Sequence, residues 1–259
     1  MTQGSSLARA GLPGCCRTFQ SDYARYWQVD LMTIIIAGSG KLATELLNVL
    51  PGLVSGEVLA WAETAKAGTP CVVVHAGSGR ELDSIVAYCT KTASPLIELA
   101  TGSAIADYKT DFPVPVPVVV CPNTNILMLK FMAMLAANGH QFKDYTVRVT
   151  ESHQADKSSV PGTAVNMATS LGLPGDQIHS IRDPHEQQES LKIPQEYLSR
   201  HAYHRIEIED PVTSLSFETR VFGRAPYAEG VAKIISAVRS NALENKRYSV
   251  MDFIDKGWL

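Results

Sequence analysis

The run Thr33-Ile-Ile-Ile-Ala37-Gly38-Ser39-Gly40-Lys41-Leu42-Ala43, followed by leucines at 42, 46, 47 and 50, leaves this chain few folds to choose from. Three consecutive isoleucines followed by alanine predict a strand covered on both faces, as in a parallel sheet. The leucine spacing predicts a helix immediately after it. Between them stands G-x-G-x-x-A, whose glycines allow a tight turn and the approach of a pyrophosphate to the helix N-terminus. The six-residue pattern alone carries little weight. Its position between strand and helix makes Gly38, Ser39, Gly40, Lys41, Leu42 and Ala43 candidate cofactor-binding residues.

Further strands follow at short intervals. Val58–Ala62 predicts the second, with Glu63 at its tip, about 25 residues past the first glycine, where a carboxylate can accept the adenosine ribose hydroxyls and favour NADH over NADPH. A solvated loop glutamate is the plain alternative. Residues 69–75 predict a buried strand running into Ala76-Gly-Ser-Gly79, with His75 read as a packed or solvated histidine. Residues 80–92 predict a helix, and 95–102 and 118–125 predict two more strands. Ligands bind at the C-terminal ends of such strands, so Gly38 and Gly40, Ala76-Gly77, Ala100-Thr101 and Pro122-Asn123 are expected at one crevice.

The pattern changes after residue 125. A helix over 126–138, rich in Leu, Met and Phe, leads to alternating segments at 145–151, 204–209 and 213–222. Alternation of this kind predicts a mostly antiparallel sheet with one face covered by helices. Helices are predicted over 228–239 and 250–254, the last part packing back on the first unit. The expected organisation is α/β: a dinucleotide-binding domain over 32–125, an α+β substrate-binding and oligomerisation domain over 126–235, and a C-terminal segment over 236–259. Residues 1–31 read as a disordered extension or the product of a start codon placed too early, with a transit peptide as the weaker alternative.

Composition narrows the function. With 45% apolar and 19% charged residues the chain has the balance of a folded water-exposed protein, and a net charge of −3 gives no general field for nucleic acid. No run approaches the length of a membrane span. The five cysteines (Cys15, Cys16, Cys71, Cys89, Cys121) are odd in number and lack metal or redox spacing, as expected of reduced thiols in a cytoplasmic protein.

The chemistry concentrates in Glu151-Ser-His-Gln-Ala-Asp-Lys-Ser-Ser-Val-Pro-Gly-Thr-Ala164. His153 and Lys157 stand four residues apart after a strand, and Gly162-Thr163 open a helix. A helix N-terminus offers unpaired N–H groups and a positive dipole end to an anion, here a carboxylate. A histidine can supply a proton near neutral pH, and a fixed ammonium can stabilise developing negative charge. A structural histidine is the ordinary reading of His153 taken alone. Its pairing with Lys157, Gly162 and Thr163 favours a site for reducing a small anionic substrate.

With these residues in order, the chain from about residue 32 to its end resembles 4-hydroxy-tetrahydrodipicolinate (dihydrodipicolinate) reductases, whose pattern is E-x-H-H-x-x-K-x-D-A-P-S-G-T-A. The resemblance implies an NADH- or NADPH-dependent reductase of lysine and diaminopimelate biosynthesis, assembled as a homotetramer. It implies His153 as proton donor, Lys157 as catalytic lysine, Gly162 and Thr163 as carboxylate ligands, and Glu63 at the ribose. Leu99, Ala100 and Thr101 fall on a Gly-Thr-Thr loop, and Pro122, Asn123, Thr124 and Asn125 on a Pro-Asn-Phe-Ser loop. His204 and Arg224 also coincide with a histidine and an arginine of the family. Departures are specific: Gln154 replaces the second, substrate-binding histidine, the loop before Gly162 is one residue short, Leu99 replaces a glycine, and Thr64 stands where many members carry arginine. These leave open a related enzyme acting on another cyclic imine or unsaturated amino-acid-derived carboxylate, or a non-catalytic assembly protein.

Overall fold

The computed structural model describes residues 32–100, 103–105, 114–223 and 225–259. Thr101 and Arg224, both named above, lie outside them.

Strand β1 (Ile34–Ala37) has no exposed residue, as its uninterrupted apolar sequence requires. It lies between β2 (Val58–Ala60) and β3 (Val72–His75) in a six-stranded sheet that continues through β4 (Leu96–Glu98), β5 (Val118–Val120) and β10 (Arg247–Ser249), in the order β10-β5-β4-β3-β1-β2. Every pairing is parallel. All six C-terminal ends therefore open on one edge, and the chain reverses its direction of travel between β1 and β3, the switch point where ligands of such sheets bind. Helices α1 (Lys41–Val49) and α2 (Leu82–Thr92) cover opposite faces, with Leu46 in one apolar cluster and Ile85 in the other.

The second sheet has the order β7-β6-β8-β9, formed by β6 (Thr146–Ser152), β7 (His179–Ile181), β8 (Ala202–Glu209) and β9 (Ser214–Val221). The β6–β8 and β8–β9 pairs are antiparallel, whereas β6–β7 is parallel. Helices α3 (Ile126–Asn138) and α4 (Gly162–Ser170) bury Met128, Leu135, Met167 and Ala168 against Val149, Ile206 and Ile208 of this sheet. A short helix α5 (Pro184–Glu189) leads to the segment that covers part of the other face.

Helix α6 (Ala228–Ser240) returns to the first sheet and buries Val231, Ile234, Ile235 and Val238 in the cluster that holds Ile34 and Leu46. After it come β10, which extends the sheet beside β5, and α7 (Val250–Asp255). Strand β10 has no counterpart in the sequence reading, because three residues flanked by charge give no periodic signal. Two contacts near its N-terminus help tie α6 to the rest. Glu45 of α1, 8% exposed, accepts the N–H groups of Tyr227 (3.1 Å) and Ala228 (3.2 Å) and pairs with Arg200. Gly230 lies against the backbone of Thr124.

Candidate active site

The edge formed by the strand ends carries the glycine turn where the sequence puts it. Gly38 has φ +137°, and a Cβ on it would lie 2.5 Å from the carbonyl oxygen of Ala76 in the neighbouring β3 loop. Only glycine allows that approach. Gly40 caps α1 without a side-chain acceptor, so the first N–H groups of this nine-residue helix keep no side-chain partner from the cap. Ser39, Gly40 and Lys41 are exposed, while Ala43 is fully buried under the turn.

Glu63 departs from the expected geometry. Strand β2 ends at Ala60, and residues 61–66 form a 3-10 turn in which Glu63 bends back, accepting the Ala60 N–H at 3.3 Å and the Lys66 ammonium at 2.7 Å. Lys66 lowers the Glu63 pKa, and Glu63 raises that of Lys66. The strand therefore stops two residues earlier than Val58–Ala62. The reason is local: a glutamate three residues into a turn satisfies the N–H at its start.

His75 is a fully buried member of the sheet rather than a solvated loop residue. Its Nδ1 faces both oxygens of buried Glu98 at 2.9 and 2.8 Å, and Glu98 also accepts the Ala100 N–H at 2.7 Å. Burial opposes charging of the ring, but Glu98 and then Glu81 outweigh it and raise the pKa. The Ala100 N–H is thereby committed inside the protein.

Between the two sheets lies a cavity of about 250 Å³. Its lining includes Leu42 of α1, Leu99 and the β5 exit Cys121, Pro122, Asn123, Thr124 and Asn125 from the first sheet, with His153, Thr163, Ala202, His204 and Tyr227 from the other elements. Asn123 bridges the two sides by donating from Nδ2 to the Thr163 hydroxyl at 3.4 Å, and its Oδ1 accepts the Asn125 N–H at 2.9 Å. Asn125 in turn caps α3 by accepting the Met128 N–H at 3.0 Å. This loop is thus held by its own asparagines.

His153 reaches the cavity from just past the end of β6. Its Nδ1 lies 2.8 Å from Oε2 of Glu151, a fully buried carboxylate whose Oε1 accepts the Ser180 hydroxyl and Arg182 Nη2, both at 2.5 Å. Burial works to raise the Glu151 pKa, but hydrogen bonds from His153, Arg182 and Ser180 bring it down to about 2. The group is a carboxylate, so Nδ1 of His153 must be the donor. Two further histidines flank the ring, His201 stacked at 6.4 Å and His204 edge-on at 5.8 Å between centroids.

His204 is 2% exposed, and burial, then His153, lower its pKa to about 4, so it is a neutral imidazole. Its Nδ1 pairs with the Thr219 hydroxyl at 3.1 Å, and its Nε2 has no partner among the described residues. Gly162 opens α4 and is exposed, beside the cavity-lining Thr163. Gln154 and Lys157 are half-buried on the loop between β6 and α4 and are not among the lining residues; a hydrogen bond from the Lys157 N–H to the Gln154 carbonyl (3.0 Å) makes a turn of that loop. Tyr227 and Arg182 were not singled out from the sequence: neither belongs to a local pattern, and both arrive through the tertiary fold.

Residues 125–254 match the family model described as "Dihydrodipicolinate reductase, C-terminus". The chain is 33% identical over 165 residues to 4-hydroxy-tetrahydrodipicolinate reductase 2, chloroplastic, of Arabidopsis thaliana, a match covering 58% of this chain and 47% of that protein. It is 30% identical over 185 residues to a probable 4-hydroxy-tetrahydrodipicolinate reductase 1, chloroplastic, of Oryza sativa subsp. japonica, covering 66% and 54%. The chain thus spans about half the length of the curated relatives it matches. Among solved structures, dipicolinate-bound dihydrodipicolinate reductase from Paenisporosarcina sp. TG-14 superposes with a TM-score of 0.59 at 16% identity, over 86% of this chain and 99% of that one. That structure shares the fold. On the family match, which takes in β6, the loop of His153 and Lys157, α4 and the second sheet, this chain belongs to the dihydrodipicolinate reductase family.

Proposed function

We propose that the protein is a NAD(P)H-dependent reductase that transfers hydride to a cyclic unsaturated imine carboxylate, with 4-hydroxy-tetrahydrodipicolinate as the leading substrate. The observation that carries this reading is that His153 and Thr163 open onto the same cavity as Leu99 and the Pro122–Asn125 loop at the strand ends of the parallel sheet.

The chain fits a dinucleotide. Gly38 makes the close turn that a Cβ would block, and the α1 N-terminus presents N–H groups with no side-chain cap. Gly38, Ser39, Gly40, Lys41, Leu42 and Ala43 would hold the pyrophosphate, with Leu99, Ala100, Thr101 and Pro122–Asn125 toward the nicotinamide. When bound, the dinucleotide supplies the hydride. Glu63 is proposed at the adenosine ribose with NADH preferred, although the ammonium of Lys66 beside it is compatible with the extra phosphate of NADPH.

As an imidazolium, His153 would donate its proton from Nε2, since the Nδ1 proton is committed to Glu151. Thr163, through its hydroxyl, and Gly162, through its N–H, bind a substrate carboxylate at the positive end of α4. Lys157 stabilises the negative charge that develops on the substrate, and Gln154 donates a hydrogen bond where a histidine could also carry charge. The structural relative from Paenisporosarcina is bound to dipicolinate, a planar aromatic dicarboxylate of the class proposed here.

A second reading keeps the fold and cofactor but changes the ring substrate. Gln154 and the apolar Leu42, Leu99 and Met128 of the cavity favour it. The two separate in one assay: generate 4-hydroxy-tetrahydrodipicolinate from pyruvate and aspartate semialdehyde with its synthase, then follow NADH and NADPH oxidation. Turnover supports the first reading and fixes the cofactor. Cofactor binding without turnover supports the second.

We propose division into a dinucleotide-binding part over 32–125, a substrate-binding part over 126–235 and a C-terminal segment over 236–259, with assembly as a homotetramer through the second sheet. Light scattering tests the assembly. No helix among the described residues is long and apolar enough to cross a membrane. Cytoplasmic residence is proposed, and a fluorescent fusion distinguishes it from the chloroplast address in the plant relatives' names.

A further inference from the structure

Arg182 and Glu151 form a second layer beneath the His153–Lys157 loop. Glu151 sits in β6 directly beside Ser180 of β7, in a parallel register that continues through Ser152 and Ile181. Its carboxylate is fully buried, and its two oxygens have separate partners. Oε1 receives Ser180 and Arg182, and among the described residues Oε2 receives only His153. The Arg182 guanidinium is used in three directions. Nη2 donates to Glu151 Oε1 at 2.5 Å, Nη1 to the Ile181 carbonyl at 3.0 Å, and Nε to the carbonyl of Lys157 at 3.0 Å.

We infer that Arg182 is a positioning residue for both candidate catalytic side chains, holding His153 through Glu151 and the Lys157 backbone directly. The inference rests on the roles proposed above for those two residues.

A buried carboxylate with one oxygen pinned by two donors has a single orientation left for the other. Its free oxygen then fixes the ring plane and the Nδ1–H tautomer of His153, which turns Nε2 to the cavity. Burying such a carboxylate without a cation would be costly, and Arg182 supplies the cation. The planar fork of arginine is also what lets one side chain serve a carboxylate and two carbonyls at once. Lysine, a single point charge, cannot make that set. A purely structural ion pair would need neither the bond to the Lys157 carbonyl nor the free Oε2 turned to His153.

The test combines kinetics with nitrogen-15 NMR of the histidine rings in Glu151→Gln, Arg182→Gln and Arg182→Lys. In the wild type, neutral His153 should carry its proton on Nδ1. Glu151→Gln should mix the tautomers and lower kcat by about a hundredfold or more, as when an orienting carboxylate is replaced by its amide. Cofactor affinity should stay within about twofold. Arg182→Gln should lower kcat and also raise KM, because the Lys157 loop is released, and Arg182→Lys should not restore it. A neutral wild-type ring protonated on Nε2 in place of Nδ1 overturns the inference even if a variant fails to fold. Full kcat in Arg182→Gln overturns it as well. Absence of wild-type turnover on the leading substrate would count against the proposed function alone, since the tautomer and its response to Glu151→Gln are read without substrate.

Discussion

Gly230, in the first turn of α6, is so close to Thr124 that a Cβ built on it would lie 1.6 Å from the Thr124 carbonyl oxygen. Thr124 belongs to the cavity-lining loop after β5, so the helix that returns to the first sheet rests on the backbone of the candidate site. Gly230→Ala cannot be absorbed by a side-chain movement. It should cost about 1–3 kcal/mol of stability by overpacking and displace the Pro122–Asn125 loop. Urea unfolding reads the first effect and cofactor titration the second; an unchanged midpoint and affinity would contradict the close contact.

Glu45 makes a second tie, from α1 to the start of α6. Removing its carboxylate in Glu45→Ala leaves the Tyr227 and Ala228 N–H groups and Arg200 without it. The expected loss is about 1–3 kcal/mol, the cost of stranding buried donors. Arg200→Ala should cost less, because Arg200 is 38% exposed. Thermal melts of both variants check the order.

Acid should destabilise the fold in two steps. His204 has a folded pKa of about 4 against an ordinary 6.5, so the unfolded chain takes up its proton first as pH falls. Its contribution is full above 6.5 and lost between 6.5 and 4, roughly 3 kcal/mol in all. Glu151, with a folded pKa of about 2 against 4.5, contributes above 4.5 and loses a similar amount below it. His201, also lowered by burial, adds to the first step, and His75, raised, acts in the opposite sense, stabilising below 6.5. Stability measured from pH 7 to 5 should fall by roughly 2 kcal/mol through His204, and His204→Gln should flatten that slope.

His153→Gln and Lys157→Ala should each lower turnover by two orders of magnitude or more without loss of the fold. Neither side chain is in a core cluster, and no hydrogen bond or ion pair of the Lys157 ammonium occurs among the described residues. Circular dichroism together with steady-state kinetics checks both halves of the expectation. Near-normal rates would remove the two residues from the chemistry.

The sequence by itself determined the strand, glycine turn and helix at residues 33–49, the buried parallel strands, the alternating strands of the second sheet, and the presence of His153, Thr163 and the Pro122–Asn125 loop as candidates. Each of these follows from signals within a few residues: apolar runs, alternation, a turn that only glycine allows. The tertiary structure decided what depends on distant partners. It brought Glu45 to the start of α6, set β10 beside β5, delivered His204 and Tyr227 to the cavity, and put Arg182 under Glu151. It also turned Glu63 back onto Lys66, a choice made by an unsatisfied N–H at the start of a short turn rather than by the strand before it. Local periodicity specifies which face of an element is buried, but which buried polar groups meet is fixed only when the faces pack and each group left without water must find a partner.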